Sequence, residues 1–398
     1  MKIKQIRVKN FKSFEDQTIS FEDFTLLVGA NAAGKSNVIN LFRFLSDMVQ
    51  YGLDNAISLQ GGLDYLTNAS IGRNEPIVFS CLIEASAILL DDSGLELDWI
   101  EYFLEILPNK KGGGYQICQE QLKFICGEDF VTLKNEHNEL LLRQMNVRRT
   151  RPLAHMLRPL ELKIYSKMKS AKPYRELILN KAAGSFPNLL SFPRLVRLYD
   201  FDPTLMKQSS QIASVRFLKE DGSNLANILQ RILKDKDKRT VMTNLLRECL
   251  PFVEGIEPVK NFDQSISYKI KEVYHNKTFH SNFLSDGTVN ILALITALYF
   301  EEDPDIIIIE EPERNLHPKL MAKIAEMAKE RSEQKQIIIT THNPEFVKYT
   351  GLGSLLFAKR SRSGFTQITK PADNKSVNIF LENELGLEDL FIQDILDE

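Results

Sequence analysis

Residues 24–36 have the sequence FTLLVGANAAGKS, and this stretch constrains the fold more than any other part of the chain. An apolar run ends at Val28, and two glycines follow, Gly29 and Gly34, with four residues between them. A strand that turns sharply into a helix needs the conformational freedom of glycine if its backbone N–H groups are to curl around an anion. The spacing therefore predicts a phosphate-binding loop, against the alternative of a chance glycine-rich turn.

The residues that close this loop can carry nucleotide chemistry. The Lys35 ammonium can reach the β and γ phosphates of a nucleotide, and the Ser36 hydroxyl can coordinate Mg²⁺. Apolar residues recur at helical spacing between residues 38 and 49. We therefore expect a helix that opens on the loop and points its positive end at the anion.

Length and composition limit the class of protein. The chain has 398 residues, 43% of them hydrophobic, which is enough for two or three domain-sized units with buried cores. The formal net charge of −3 gives no general attraction to nucleic acid, so such binding would need a local patch. The opening residues lack the apolar core of a signal peptide, and no apolar run reaches the roughly 20 residues of a membrane span. We expect a soluble, cytoplasmic protein without a membrane partner.

The cysteines do not suggest a metal site. Cys81, Cys118, Cys126 and Cys249 lie at no metal-ligand spacing, and Cys118 and Cys126 have no paired histidines nearby. We interpret all four as reduced thiols, in preference to a disulfide or a metal role.

The chain changes character several times after the loop. We expect two strands before the loop and another at residues 77–83. An acidic segment then runs to three glycines at residues 112–114, which indicates an inserted region. Residues 224–232 and 241–250 have helical spacing, and we interpret residues 234–239, KDKDKR, as a solvated link between them.

A basic segment lies in the middle of the chain. Residues 143–175 contain ten lysines and arginines against the single acid Glu161, with Tyr165 and Tyr174 among them. Such a run is often a solvated protein surface, and it can equally be a contact for DNA or RNA. Both interpretations remain open from the sequence.

Two buried strands are predicted in the last third of the chain, each followed by polar residues. Residues 306–309 are four consecutive isoleucines that lead into Glu310 and Glu311, and residues 337–341 lead to His342. Carboxylates at the carboxyl end of a buried parallel strand lie where a doubly wound sheet binds its ligand. One can hold hydrated Mg²⁺, the next can polarise water, and the histidine can sense a phosphate instead of being an ordinary loop residue.

A further candidate is the sequence LSDGT, which precedes the apolar residues 289–300. Ser285 is a suitable N-cap for a helix, and Gly287 permits close approach of the backbone to a ligand. By itself this pattern is equally typical of an ordinary capped and buried helix.

Four motifs occur in the order GANAAGKS, LSDGT, IIIIEEPE and TTHNPE. They resemble the Walker A, signature, Walker B and switch-histidine motifs of ABC-type ATPases. The opening VKNFKSF and the block EEPERNLHP resemble the SMC, RecF and overcoming-lysogenisation-defect (OLD) branch, in particular its stand-alone bacterial AAA-family ATPases. The resemblance covers about the first 80 and the last 130 residues. It implies an α/β P-loop head, a mixed or parallel sheet flanked by helices, formed by residues 1–84 and 266–398, with residues 85–265 as a large α+β insertion.

The resemblance also implies ATP and Mg²⁺ as ligands and gives each catalytic residue a role. Lys35 would grip the phosphates, and Ser36 and Glu310 would bind the metal. Glu311 would be the base that orients water for attack on the γ phosphate, and His342 would sense that phosphate.

In this family each site closes between two subunits. Ser285 and Gly287 would therefore contact ATP held by a second copy of the chain, and Arg314 and Asn315 would lie on the dimer seam. The residues that the resemblance places around ATP are Gly29, Asn31, Ala32, Ala33, Gly34, Lys35, Ser36, Asn37, Ser285 and Gly287.

Some positions depart from the family pattern or stay open. Aspartate is usual where Glu310 stands, which leaves the division of roles with Glu311 open. Asp286 replaces a small residue of the signature. Gln60 is our candidate for the glutamine that couples nucleotide to the insertion. Residues 11–13 either flank the base or are structural.

Three functions fit these expectations. The first is an ATPase that dimerises around ATP and couples hydrolysis to a nucleic acid or a protein, in DNA maintenance or anti-phage defence. The second is a nucleotide-gated regulator of a separate effector such as a nuclease, since the stretch after His342 is shorter than the OLD nuclease domain. Acidic and apolar residues alternate in this stretch between residues 382 and 398, which predicts an amphipathic helix. A transporter subunit shares the motifs, but the charged insertion fits it poorly.

Overall fold

The structure is a computed structural model that describes residues 1–89, 96–112, 114–136, 139–145, 177–178, 196–301 and 304–371. Most of the basic segment 143–175 and the predicted helix of residues 382–398 lie outside the described residues. The expectations for those two segments therefore stay predictions.

The elements alternate between long antiparallel strands and shorter segments. The strands are β1 (Lys2–Phe11), β2 (Phe14–Ser20), β3 (Phe24–Val28), β4 (Ile77–Leu89), β5 (Glu96–Pro108), β6 (Tyr115–Cys126), β7 (Asp129–Glu136), β8 (Glu139–Met145), β9 (Val196–Tyr199), β10 (Ser210–Gln211), β11 (Val253–Lys260), β12 (Ser265–Glu272), β13 (Thr278–His280), β14 (Ile306–Glu310), β15 (Gln336–Thr341), β16 (Leu355–Arg360) and β17 (Thr366–Thr369). The helices are α1 (Lys35–Tyr51), α2 (Leu53–Leu59), α3 (Leu63–Leu66), α4 (Pro203–Met206), α5 (Leu225–Lys234), α6 (Lys236–Cys249), α7 (Asp286–Ile295), α8 (Pro318–Ser332) and α9 (Pro344–Val347).

One compact unit comprises residues 1–22, 29–196 and 357–369. Its seven-stranded sheet has the order β2-β1-β4-β5-β6-β7-β8, and neighbouring strands are antiparallel. The apolar side of α1 packs by edge-to-face and tilted aromatic contacts: Phe44 lies 5.6 Å from Phe11 and Phe42 lies 5.2 Å from Phe21, between ring centroids. Strands β5 to β8 of the predicted insertion continue the sheet that β1, β2 and β4 begin, while the predicted domain boundaries stay a prediction.

The other unit comprises residues 23–28, 197–356 and 370–398. Its strands β3, β15 and β14 are parallel neighbours in that order, with β9 beside β14, and the isoleucines of β14 and β15 are buried. This burial is typical of a parallel sheet that is covered on both faces. In the register, Val28 faces Thr341 and Glu310 faces Thr340. The carboxyl ends of the three strands therefore lie at one edge.

The same unit contains a smaller antiparallel sheet of order β10-β12-β11, with β13 paired to β12. The apolar helix predicted for residues 289–300 is confirmed, because α7 continues into a π-helical turn, Thr296–Phe300. Among the described helices, none is long and apolar enough to cross a membrane.

The solvated link predicted for residues 234–239 is wrong. α5 ends at Lys234 and α6 begins at Lys236, so a single residue, Asp235, separates them. The Asp235 carboxylate accepts hydrogen bonds from the backbone N–H groups of Asp237 and Lys238. Aspartate at this position caps a helix, so the charged run contains a helix start that its polarity conceals.

Candidate functional site

The phosphate loop, residues 29–36, leads directly into the predicted helix. α1 begins at Lys35, immediately after Gly34, whose φ is 107°. The buried Lys35 ammonium donates hydrogen bonds to the backbone carbonyl groups of Gly29, at 2.7 Å, and Ala30, at 3.1 Å. The lysine charge is thus held at the N-terminus of α1, where the backbone N–H groups also favour an anion.

Residues from β17 and from the turn between β1 and β2 fasten this loop. Thr366 Oγ1 lies 2.7 Å from Ser13 Oγ and 3.1 Å from the Ala33 carbonyl oxygen. The Thr366 backbone N–H also donates to the Ser13 carbonyl at 2.8 Å, and Asn37 Nδ2 donates to Ser13 Oγ at 2.6 Å. Ser13 therefore has a structural role here, which was one of the two interpretations open for residues 11–13.

The two glycines of the loop are required by neighbouring backbone and side-chain atoms. A Cβ atom on Gly29 would lie 2.5 Å from the Ala358 carbonyl oxygen. A Cβ atom on Gly34 would lie 2.1 Å from Thr366 Oγ1, and the positive φ of Gly34 adds strain for any other residue. The structure therefore gives these glycines a packing reason beside the phosphate one.

The remaining loop residues keep their assigned places. Ala32 has a φ of 65°, and its carbonyl oxygen accepts a hydrogen bond from Arg360 Nε at 2.9 Å. Ala33 is buried, whereas Asn31 and Ser36 are exposed. Arg360 and Thr366 are more than 320 residues away in the chain and match no motif, so sequence reasoning missed them.

The second group of predicted residues lies where the parallel strands end, and we call Glu310, Glu311, Glu313, Arg314 and His342 the acidic edge. Glu310 is the last residue of β14, and His342 follows β15 directly. The backbone N–H of Glu311 donates to the Thr340 carbonyl at 2.9 Å, and Glu311 has a φ of 43°. This backbone conformation costs a non-glycine residue about 1–3 kcal/mol and is common at functional sites.

Two cations flank the carboxylate of Glu311. Glu311 Oε2 accepts a hydrogen bond from Arg314 Nε at 3.0 Å, and Glu311 Oε1 lies 3.1 Å from His342 Nδ1. Burial favours the neutral acid, but the hydrogen bonds from Arg314 and His342 outweigh it and hold the pKa of Glu311 below its usual range. The structure thus brings together two residues, Glu311 and His342, that lie 31 positions apart in the chain.

Asp200 is part of this arrangement, and the sequence does not reveal it. Arg314 Nη1 donates to Asp200 Oδ1 at 2.7 Å, so the guanidinium joins Asp200 to Glu311. Asp200 follows β9, a short strand with no motif. Its identification needs the strand order, since β9 lies beside β14.

Glu313 stabilises the turn that follows β14. It is 6% exposed, and its Oε1 accepts a hydrogen bond from Thr341 Oγ1 at the end of β15. Burial raises the pKa of Glu313 above its usual range, although the bond from Thr341 acts in the opposite direction. The two acids of the sequence EEPE that flank the proline therefore differ in charge preference: Glu311 ionises easily and Glu313 does not.

The LSDGT residues meet the turn after β14 from another side. Ser285 is the N-cap of α7, as predicted, and its Oγ accepts a hydrogen bond from the Thr288 backbone N–H at 3.2 Å. A Cβ on Gly287 would lie 2.8 Å from the Asn315 carbonyl oxygen. One turn further on, Asn290 Nδ2 donates to the Arg314 carbonyl at 2.6 Å. Gly287 therefore permits close packing on residues 314–315.

Gln60 lies at the C-terminus of α2 and is buried. Its proposed role in coupling stays a prediction. All four cysteines are free, as expected. Within the described residues, no group of three or more His, Cys, Asp or Glu side chains could hold a metal ion by itself. A divalent ion at this protein would consequently need oxygen ligands from a substrate.

Two family models match parts of the chain. Residues 1–112 match the AAA ATPase domain. Residues 174–348 match the family described as "AAA domain, putative AbiEii toxin, Type IV TA system". Each match covers less than half of the chain.

Two curated proteins are similar over shorter stretches. The phosphate import ATP-binding protein PstB of Oceanobacillus iheyensis is 28% identical, over 29% of this chain and 49% of its own length. The DNA double-strand break repair Rad50 ATPase of Sulfolobus acidocaldarius is 35% identical, over 20% of this chain and 7% of its own length. The chain thus spans about half the length of the first relative and a small part of the second.

Solved structures share the fold over nearly the whole chain. An SMC head bound to the C-winged helix domain of ScpA has a TM-score of 0.54 at 14% identity, with 93% of this chain and 98% of that chain covered. The Smc head domain with an extended coiled coil, bound to the C-terminal domain of ScpA derived from Pyrococcus furiosus, has a TM-score of 0.50 at 12% identity, with 96% and 99% covered. The predicted fold class is therefore confirmed. The two ATPase family models and the head-domain fold together identify the chain as similar to the SMC/RecF-like ABC-type ATPases.

Proposed function

We propose that this protein binds ATP with Mg²⁺ at the phosphate loop and hydrolyses it with Glu311 as the catalytic base. The observation that carries this proposal is the ionised Glu311 carboxylate, held between Arg314 and His342 at the end of β14. A carboxylate with a lowered pKa at the carboxyl end of a parallel strand is available to orient and activate water at neutral pH.

The residues present suit a metal–nucleotide ligand. The N-terminus of α1, with the Lys35 ammonium held at it, provides the positive charge that a polyphosphate needs. The Ser36 hydroxyl and the Glu310 carboxylate are hard oxygen donors of the kind that Mg²⁺ prefers, and Mg²⁺ keeps its other positions for water and phosphate. When bound, the ion neutralises charge on the phosphate oxygens.

The roles of the protein groups follow from their contacts. Glu311 would accept a hydrogen bond from the attacking water and hold it in line with the γ phosphate. Its second oxygen is held by Arg314, which fixes the direction of the carboxylate. His342 is about half exposed and can donate from its other ring nitrogen to the γ phosphate. Lys35 would stabilise the charge that develops on the phosphate oxygens.

We further propose that two copies of the chain associate around ATP. Ser285 is exposed at the N-terminus of α7, and the neighbouring Phe283 side chain is 81% exposed. A large aromatic side chain in water next to a predicted nucleotide contact is suited to an interface that forms only with ATP. Replacement of Phe283 by Asp should therefore abolish ATP-dependent dimerisation and leave ATP binding by the single chain unchanged.

The engaged partner is proposed from less direct support. The basic segment 143–175 favours DNA or RNA, and contacts of that type weaken steeply as salt rises. Charge reversal at Arg148, Arg149 and Arg151 should abolish binding to duplex DNA at about 150 mM salt. Unchanged binding would show that this segment is not the contact and would favour a protein partner, in line with the solved heads that are bound to ScpA domains.

A second candidate function is a nucleotide-gated regulator of a separate effector. The family description for residues 174–348 names a toxin of a toxin–antitoxin system, and this favours a role in which conformation is the output. One experiment separates the candidates: ATP turnover and ATP-dependent dimerisation of the purified chain, each with and without duplex DNA. Turnover stimulated by DNA supports the first candidate, and slow turnover that DNA leaves unchanged supports the second. Failure of Lys35→Ala to reduce turnover would contradict both.

A further inference from the structure

A pocket with a volume of about 330 Å³ lies beside α5 and α6, and none of the residues assigned to ATP lines it. Small-molecule sites have volumes of roughly 300–1,000 Å³, so this pocket suits a small ligand. Its walls include the Phe217 ring and the Ile232 side chain. The pocket lies within one of the two units and needs no second chain to form it.

The floor of the pocket contains a buried carboxylate with an unsatisfied oxygen. Glu301 is 2% exposed, and its Oε1 accepts a hydrogen bond from the Leu218 backbone N–H at 2.9 Å. Its Oε2 is buried and has no hydrogen-bond partner among the described residues. The Tyr199 hydroxyl, whose pKa is raised by burial and by the nearby charge of Glu301, is buried without such a partner as well. Buried polar atoms of this kind usually bind a ligand or an ordered water molecule.

The rim of the pocket is basic. Arg216, Arg231 and Lys238 line it, and the acid at the rim, Asp235, directs its carboxylate oxygen to the N-terminus of α6. Positive charge concentrated around a concave surface attracts anions. A ligand that satisfies both the rim and the floor needs an anionic group at one end and a hydrogen-bond donor at the other.

We propose that this pocket binds a nucleoside monophosphate, with its phosphate at the basic rim and its base donating a hydrogen bond to Glu301 Oε2. A planar base can pack against Phe217 and Ile232, whereas free phosphate would leave the apolar walls and the buried oxygen without contacts. The ligand site is additional to the proposed ATP site and does not depend on ATP hydrolysis.

The test uses the full chain with Lys35→Ala, which weakens binding at the phosphate loop, in buffer without magnesium. Adenosine monophosphate, adenosine and inorganic phosphate are each titrated in and followed by calorimetry. Saturable binding of adenosine monophosphate is expected, at least about tenfold tighter than binding of either of its parts. Addition of Lys238→Gln or Arg231→Gln should weaken it about tenfold, the usual loss for one charge-assisted hydrogen bond.

Lys236→Gln is the matched control, because it removes the same charge from the first turn of α6 at a residue that does not line the pocket. It should leave the affinity unchanged. Equal affinities of the Lys236→Gln and Lys238→Gln proteins would overturn the proposal. Binding of inorganic phosphate as tight as that of the nucleotide would also overturn it, and so would no binding of adenosine monophosphate, which would indicate that water satisfies Glu301.

Discussion

The phosphate loop and the acidic edge are stabilised in different ways. In the loop, backbone carbonyl groups hold Lys35, and Thr366 leaves no space for an atom on Gly34. At the acidic edge, ion pairs between partly exposed side chains fix Glu311. The loop should therefore be sensitive to added volume, and the edge should tolerate changes of shape while being sensitive to changes of charge.

The largest effect is expected from Gly34→Ala. The new methyl group would clash with Thr366 Oγ1, and the φ of 107° is strained for alanine. We expect the free energy of unfolding to fall by at least about 2 kcal/mol and ATP binding to be lost. Chemical denaturation and nucleotide titration measure the two losses.

Gly127→Ala is the control for backbone strain alone, because Gly127 also has a positive φ, 59°, and a methyl group there would have no other atom within 4 Å. It should cost less stability than Gly34→Ala. Thr366→Ala combined with Gly34→Ala should recover part of the lost stability. Equal losses at Gly34 and Gly127 would mean that the contact with Thr366 does not matter.

A smaller effect is expected from Arg314→Gln, and it should depend on pH. The folded pKa of Glu311 lies below its unfolded value of about 4.3, so its contribution to stability is present above that value and is lost as pH falls through the folded pKa. Arg314→Gln should reduce the loss of stability between pH 7 and about pH 3. Unfolding free energies of the wild type and the variant at both pH values test this.

Glu311→Gln in the Arg314→Gln background completes the cycle for this ion pair. If Arg314 acts through Glu311, the second substitution should produce little further change in the pH dependence. A pH dependence of Arg314→Gln identical to that of the wild type would contradict the electrostatic account of the acidic edge.

The smallest effect is expected from Ser285→Ala. Loss of the N-cap of α7 should cost about 1 kcal/mol of stability. Asp235→Ala removes the N-cap of α6 and should cost a similar amount. Because Ser285 is proposed to contact ATP across a dimer, only Ser285→Ala should also weaken ATP-dependent dimerisation, as measured by light scattering. Equal dimerisation of the two variants would assign Ser285 a capping role alone.

Much of this architecture could be predicted from local patterns. The helix after the loop, the isoleucine strands and the cap at Ser285 follow from glycine spacing, continuous apolar runs and a short polar side chain before a helix. These signals lie within a few residues of the elements they specify. The charged run at residues 234–239 misled because one Asp can both look like part of a link and start a helix.

The contacts that hold the site could not be predicted in this way. Thr366 and Arg360 reach the loop, and Asp200 reaches Arg314, only through the arrangement of strands distant in the chain. Their residue types are common at surfaces and carry no motif. The opposite pKa shifts of Glu311 and Glu313 also depend on burial and partners that the sequence EEPE does not show.

The central claim is that Glu311 is the base for ATP hydrolysis, and the most direct test is ATP turnover by Glu311→Gln at saturating ATP and Mg²⁺. Glu326→Gln, which removes an exposed carboxylate from α8, is the control. The account predicts that Glu311→Gln retains ATP binding and loses turnover by about 100-fold or more, while the control keeps both. Turnover of Glu311→Gln within threefold of the wild type would contradict it.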